Sequence, residues 1–524
     1  MRSRDVETAL DDATLISSPD NGRGVTGFLL DGRDPQTTAL LFEDAEYTYA
    51  DLERAVNAIA NHLCQRGCSK GDRALLVGAN SFFWVAAYLG TMRAGMVCVP
   101  LPPTVSRDDL AHIITTTEPV AVCADARAMA SRFEDVGHVH VVTDSAIEHP
   151  GPLSLMTLDD LIECEPSTAP LPAIALSDLA SLMFTSGSTG TPRGVMVSHG
   201  NIIANTESII ASVGLTAADR IMVVLPFYYC YGASLLHTHL RAGGSVVVDS
   251  RFMYVEAVLD RMVETRCTGF AGVPTHFQTL LRKSTMRQRA FPCLRYVQQA
   301  GGHLAPALID ALREALPGVS VFVMYGQTEA TARLSCLPPD HLEGKRGSIG
   351  KGIPGVCLTV VTESGAPARP GEIGEIVAEG ANITRGYWRA DEESRLSFRD
   401  GRLHTGDLAT VDEDGFIYIA GRGKDFLKCR GERIACQQIE ARLLECDEIV
   451  EAAVIGVPDE TLGEAVKAFV VPKRIDAALV GRLHAFWKRH LPPHLIPKQV
   501  EVLEELPKSD AGKVLKRLLR TPGM

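Results

Sequence analysis

From the start of the chain to about Gly421, short β-branched runs alternate with stretches whose apolar residues recur at helical spacing. The runs 74–77, 96–99, 221–225, 245–248 and 319–324 predict strands, and 51–65, 201–212, 254–265 and 307–316 predict helices with one apolar face. That alternation is the signature of an α/β fold built from layered sheets and helices with parallel strands. From Gly371 the pattern turns β-rich and punctuated by glycine, as in Gly371-Glu-Ile-Gly-Glu-Ile-Val and Gly415-Phe-Ile-Tyr-Ile-Ala-Gly-Arg. After a charged run, Gly421-Arg-Gly-Lys-Asp, a smaller α+β unit follows, with strands at 452–455 and 468–471 and a helix at 480–490. The boundary falls near Lys424, giving a large N-terminal domain over 1–423 and a small C-terminal domain over 424–524. The Pro-rich segment 491–497 is expected to be a rigid loop.

Length supports the division, because 524 residues exceed what one core usually organises. The longest apolar stretches, 82–90 and 174–184, are too short for a spanning helix of ~20 residues, so no transmembrane segment is expected. The charged N-terminus lacks the apolar segment of an export signal. A net charge of −12 argues against a nucleic-acid footprint and requires that any anionic ligand be held by local cations, amides or metal. The scattered cysteines contain no C-x-x-C pair, and Cys64 and Cys68 have no nearby His partners, so neither zinc nor disulfides are expected and a reducing, cytoplasmic setting is.

The chemistry begins at Thr185-Ser-Gly-Ser-Thr-Gly-Thr-Pro-Arg-Gly194, which follows an apolar run. Glycines there let backbone amides approach an anion, and Thr185, Ser186, Ser188 and Thr189 add hydroxyl donors, with Gly187 and Gly190 between them. A flexible surface turn has the same composition. A Walker loop would end in G-K-[ST] where this one has Pro192-Arg-Gly, and a nucleophile elbow would need glycine where Ser186 stands. Both fail on residues.

The run resembles the T-S-G-S-T-G-x-P-K-G loop of the acyl-adenylate-forming (AMP-binding) enzymes, most closely the acyl-CoA synthetases and coumarate ligases, with Arg193 in place of Lys. Further runs follow in that family's order. Tyr325-Gly326-Gln327-Thr328-Glu329 is similar to its Y-G-x-T-E element, which implies a tyrosine beside adenine, Thr328 at phosphate and Glu329 on Mg²⁺. Gly301 and Gly302 resemble the small-residue turn under adenine, and Thr405-Gly-Asp407 the motif whose Asp accepts both ribose hydroxyls. Arg422 is implied at the ribose, Lys424 at the hinge, and Lys513 of Pro507-Lys-Ser-Asp-Ala-Gly-Lys as the adenylation catalyst, although a lone lysine near a C-terminus is usually just solvated.

The resemblance implies ATP, Mg²⁺ and coenzyme A, a small-molecule carboxylic acid as substrate, and a small domain that rotates between adenylation and thiol transfer. Gly431 would give clearance in the pantetheine tunnel, where Arg430 and Arg433 could meet CoA phosphates or simply be solvated. Ala435-Cys436 replaces the family's usual Ser-Pro in the same loop. Tyr229 stands where many relatives place a gating His, and Val273 joins it as a candidate acyl-pocket residue. Gly232 stands at the position given to the ammonium-binding Asp of amino-acid-activating domains, so the expected acid is not an amino acid: a fatty, aryl or specialised-metabolite acid. The short interval between Tyr325 and Thr405 leaves little room for the insertion of ligases that load carrier proteins, which favours CoA over a phosphopantetheine carrier protein. Two alternatives stand beside this reading: a stand-alone enzyme loading a carrier protein, and a nucleotide-binding protein of this fold without catalysis.

Overall fold

The computed structural model describes residues 22–43, 45–133, 140–146, 155–164, 170–186, 191–422, 425–429, 432–459, 462–509 and 512–520. Two mainly parallel sheets carry the large domain. The seven-stranded one runs in spatial order through Leu155–Thr157, His140–Thr143, Ala121–Ala124, Arg73–Val77, Val97–Leu101, Leu179–Ser186 and Pro192–Ser198. The nine-stranded one places Ser320–Tyr325, Tyr296–Gln299, Gly269–Gly272, Arg220–Val223 and Ser245–Val248 side by side at its centre, all parallel. Parallel strands buried on both faces explain why these segments read as continuous apolar runs.

Helices fill the space between the sheets. Phe82–Arg93 is apolar around its whole circumference because one side meets its own sheet and the others meet Tyr49–Gln65 and Gly24–Leu30, with Trp84 and Tyr88 fully buried. It reaches the helix Cys230–Ala242 through a hydrogen bond between the Tyr88 hydroxyl and His237 Nε2 at 3.1 Å. The apolar stretch 82–90 is therefore a core helix. Local signals fix several ends: Thr48 and Asp51 form a capping box on Tyr49–Gln65, and Ser198 caps His199–Val213, which stops at the left-handed Gly214.

A third, antiparallel sheet contains Val356–Val361, Gly374–Gly380, Phe398–Arg399, Arg402–Val411 and Ile417–Arg422. A fourth contains Phe426–Cys429, Glu432–Ala435, Ile449–Asp459, Gly463–Pro472 and Gln499–Val502, covered by Cys436–Leu443 and Leu479–His490. The change of sheet lies between Arg422 and Phe426; Lys424 itself is outside the described residues. The expected strands and helices are present with ends moved by a few residues, and the segment after the glycine-rich run adds a strand that its polarity did not suggest, Pro192–Ser198. Among the described residues no helix is long and apolar enough to cross a membrane, and every cysteine thiol is free.

Burial lowers the pKa of His62 and His239 to about 4 and of His237 to about 3, so all three are neutral in the fold. The unfolded chain takes up protons at these groups below about pH 6.5, whereas the fold resists until near pH 4. Their contribution is therefore complete above pH 6.5 and is lost as pH falls, on the order of 1–2 kcal/mol each by pH 5. Thermal melts should show a clear fall in Tm from pH 7 to pH 5; a flat profile over that interval would contradict the neutral assignment.

Candidate active site

Four elements converge on one cleft. Leu179–Ser186 and Pro192–Ser198 form an antiparallel hairpin whose register sets Thr185 opposite Arg193 at the end next to the connecting segment. Thr185 is half-buried, while Gly187, Ser188, Thr189, Gly190 and the Ser186 side chain lie outside the described residues. Arg193 lies 3.8 Å from Glu393 and its guanidinium is 5.7 Å from the Tyr387 ring centre. A planar cation on an aromatic face is a contact that lysine would not reproduce in the same geometry.

Tyr387 then donates a hydrogen bond of 2.8 Å to Glu329 Oε1. Burial, and then the neighbouring carboxylate, push the phenol pKa up, so the ring stays a donor. The backbone of Glu329 is held by Thr384 through its amide at 3.0 Å and its hydroxyl at 2.9 Å. Tyr387 and Thr384 were not singled out in the sequence, although the aromatic pair Tyr387-Trp388 after a glycine was a usable signal.

Glu329 follows directly from the strand Ser320–Tyr325, in a tight turn made possible by Gly326, where a Cβ would lie 1.9 Å from the Ala332 carbonyl oxygen. Gln327 and Thr328 are half-buried in this turn, and the Thr328 hydroxyl lies 3.4 Å from Cys230 Sγ. At its start, the Tyr325 hydroxyl donates to Asp407 Oδ2 at 2.7 Å. Thr405 anchors the Asp407 segment by bonding the Ile376 carbonyl at 2.8 Å, and Gly406 turns with φ 73°. Asp407 pairs with Arg422 in the strand register, which brings the two sequence-derived ribose residues side by side; the Arg422 side chain is outside the description.

The small domain contributes the fourth element. Residues 507–509 and 512–515 run back along each other, with Lys508 bridging to Val514, and Gly512 adopts φ 75°. A Cβ on Gly512 would lie 3.0 Å from Val273 and 3.2 Å from Thr275, and Thr275 Oγ1 donates to the Gly512 carbonyl at 3.0 Å. Only glycine meets both demands. Lys513 is thereby directed to Gly301: its Cε would be 3.6 Å from a Cβ there, and Val273 Cγ1 3.0 Å. The two lysines of the motif thus part company. Lys508 pairs with buried Glu451 at 2.8 Å, whereas Lys513 is exposed in the cleft.

Gly301, at φ 84°, and Gly302, packed under Pro274, leave an open shelf beside that lysine. Among the described residues no group of three or more His, Cys, Asp or Glu side chains is gathered for a metal. Mg²⁺ needs only one or two carboxylates from a protein, because it keeps waters and substrate phosphates as its other ligands. Glu329 fits that role.

In the acyl region, Tyr229 precedes the helix Cys230–Ala242 and packs on Tyr228 with ring centres 4.8 Å apart, and Val273 lies beside Lys513. At Gly232 a Cβ would lie 2.0 Å from the Pro226 carbonyl oxygen, so the packing of this turn also calls for glycine. Gly431 and Arg430, expected near the thiol tunnel, lie outside the described residues.

The sequence pattern of the AMP-binding enzymes matches residues 31–388, and that of the AMP-binding enzyme C-terminal domain matches residues 438–513. Feruloyl-CoA synthase of Amycolatopsis sp is 34% identical over 93% of this chain and 96% of its own length. The anthranilate CoA ligase structure with anthranoyl-AMP superposes with a TM-score of 0.87 at 26% identity, covering 95% of this chain and 96% of that one. The o-succinylbenzoate coenzyme A synthetase of Bacillus subtilis, solved with ATP and magnesium ion, does so with a TM-score of 0.81 at 27% identity, covering 95% and 99%. With its glycine-rich hairpin, its Glu329 and Asp407 elements and its C-terminal lysine in one cleft, the chain belongs to the AMP-binding enzyme family, as an AMP-forming acid–thiol ligase that uses ATP, Mg²⁺ and coenzyme A.

Proposed function

We propose that this enzyme activates a non-amino carboxylic acid at the cleft between residues 1–423 and 424–524, with Lys513 as the adenylation catalyst. The observation that carries the reading is the position of Lys513, brought from the small domain to the Gly301 shelf by the contact of Gly512 with Val273 and Thr275. An oxygen of the substrate carboxylate attacks the α-phosphorus of ATP, the bond to the bridging oxygen breaks, and pyrophosphate leaves. Lys513 offers positive charge to both the carboxylate and the α-phosphoryl oxygens, so the gain comes from positioning and charge neutralisation. Arg193 and the hairpin amides hold the terminal phosphates, Tyr325 flanks the base and Asp407 takes the ribose hydroxyls. Mg²⁺ on Glu329 would neutralise phosphate charge.

A thiol then attacks the acyl-adenylate carbonyl and AMP departs. For this step the small domain turns about Lys424. CoA is the acceptor we favour over a carrier protein, and the free thiols suit a reducing, cytoplasmic setting. Acid-dependent ATP–pyrophosphate exchange over a library of carboxylic acids, followed by addition of CoA and detection of the thioester by mass, tests the sequence of steps. Exchange with no acid at all would sink the adenylation reading, and AMP release without thioester would turn the acceptor to a carrier protein.

A further inference from the structure

Arg333 follows the site turn and is only 2% exposed. Its backbone is clamped by Asn205, which accepts from the Arg333 amide at 3.2 Å and donates to its carbonyl at 2.9 Å, and by Asn382, which donates to the same carbonyl at 2.9 Å. Among the described residues the side chain is partnered by soft groups: Nε donates to Met324 Sδ at 3.3 Å and the guanidinium lies 4.0 Å from the centre of the Tyr231 ring. Nη2 is buried with no hydrogen-bond partner. Among the described residues no carboxylate lies within ion-pair distance of it. Arginine stays protonated even when burial lowers its pKa, so a net charge is held here without a counterion.

A second orphan is close by. Gln298 is fully buried, and both its Nε2 and its Oε1 lack partners. Its own carbonyl accepts from the Tyr231 hydroxyl at 2.9 Å, so Tyr231 joins the two groups. Gln298 is in register with Phe322, and Phe322 and Met324 alternate onto one face of their strand, so Gln298 and the Met324–Arg333 contact share the sheet face beneath the helix Cys230–Ala242. Cys230, adjoining Tyr231, touches Thr328 of the adenylating turn. A buried fork of donors and an unsatisfied amide therefore lie behind the turn that carries Thr328, beside the start of the helix that Tyr229 precedes.

Packing alone does not call for this arrangement, because a buried charge and a buried amide are stable only when paired. We propose that the substrate carries a second anionic group, a carboxylate, which pairs with Arg333 while Gln298 binds beside it. This rests on the adenylation reading above and narrows its substrate to dicarboxylic acids, aliphatic or aryl. The second carboxylate stays ionised throughout; only the first forms the bond to phosphorus as pyrophosphate leaves.

The test pairs each dicarboxylic acid with its monomethyl ester and with the monocarboxylic acid of equal length, in ATP–pyrophosphate exchange by wild type, Arg333→Met and Arg333→Lys. At least one diacid should exceed its neutral partners in kcat/KM by roughly 100-fold, because a site built around a buried polar group rejects the analogue that leaves it unpaired. That ratio should collapse in Arg333→Met and recover in part in Arg333→Lys. If every diacid in the wild type equals or falls below its neutral partners, or if the ratio survives Arg333→Met, the arginine is structural and the proposal is wrong. Thermal-shift measurements with the same pairs separate the two readings. Should exchange be silent for every acid, protection by a diacid but not by its half ester still supports the Arg333 site, and equal or absent protection overturns it.

Discussion

Replacing Lys513 by Ala should lower acid-dependent pyrophosphate exchange by about a hundred- to a thousandfold, the scale on which a single preorganised charge or donor acts in a transition state. The side chain is exposed, and among the described residues no hydrogen bond or ion pair holds its ammonium, so Tm should move little, within ~0.5 kcal/mol of stability. Lys508 in the same motif should behave in the opposite sense. Its pair with Glu451, whose side chain is 5% exposed, is structural, and Lys508→Ala should lower Tm by leaving a buried carboxylate unpaired. Preformed acyl-adenylate supplied with CoA should still yield thioester in Lys513→Ala, because that lysine is needed where charge builds on phosphorus. Unchanged exchange in Lys513→Ala would remove the residue from the mechanism; equal loss in both half-reactions would indicate damage to the domain contact at Gly512.

Glu329→Ala is expected to have the second-largest effect, lowering exchange by about 10²-fold and raising the Mg²⁺ concentration needed for half-maximal rate. Two consequences combine in that variant. The carboxylate that suits Mg²⁺ is lost, and the Tyr387 hydroxyl, which donates to it at 2.8 Å, loses its acceptor and with it the restraint that keeps the ring under Arg193. Tyr387→Phe separates them: it removes the hydrogen bond alone and should cost on the order of 1 kcal/mol, with the Mg²⁺ dependence unchanged. If Glu329→Ala kept the wild-type Mg²⁺ titration and lost rate only to the extent of Tyr387→Phe, Glu329 would be a positioning residue and the metal would be held elsewhere.

The geometry also explains why both sites need the glycines that flank them. Gly326 lets the turn bearing Glu329 pass within reach of the Ala332 carbonyl, and Gly512 lets the turn bearing Lys513 press on Val273. A side chain at either point would displace a functional residue whose own chemistry was untouched. Gly232 is likewise required by a close approach, to the Pro226 carbonyl.

The sequence by itself determined the alternation of strands and helices, the division into a large and a small unit, and the residue types of the cleft, because backbone periodicity and motif spacing are local properties of the chain. Phosphate-binding composition, a T-G-D turn and a glycine before a terminal lysine carry their meaning within a few residues. Tertiary structure alone decided which of those residues meet. Tyr387 reaches Glu329 across 58 positions, Tyr325 reaches Asp407 across 82, and Lys508 and Lys513 are told apart only by Glu451 and by the Gly301 shelf. The same holds for Arg333, which in the sequence is one more arginine after a functional motif. Its significance comes from burial beneath the helix Cys230–Ala242 with no carboxylate among the described residues beside it, and burial and pairing are set by the whole fold.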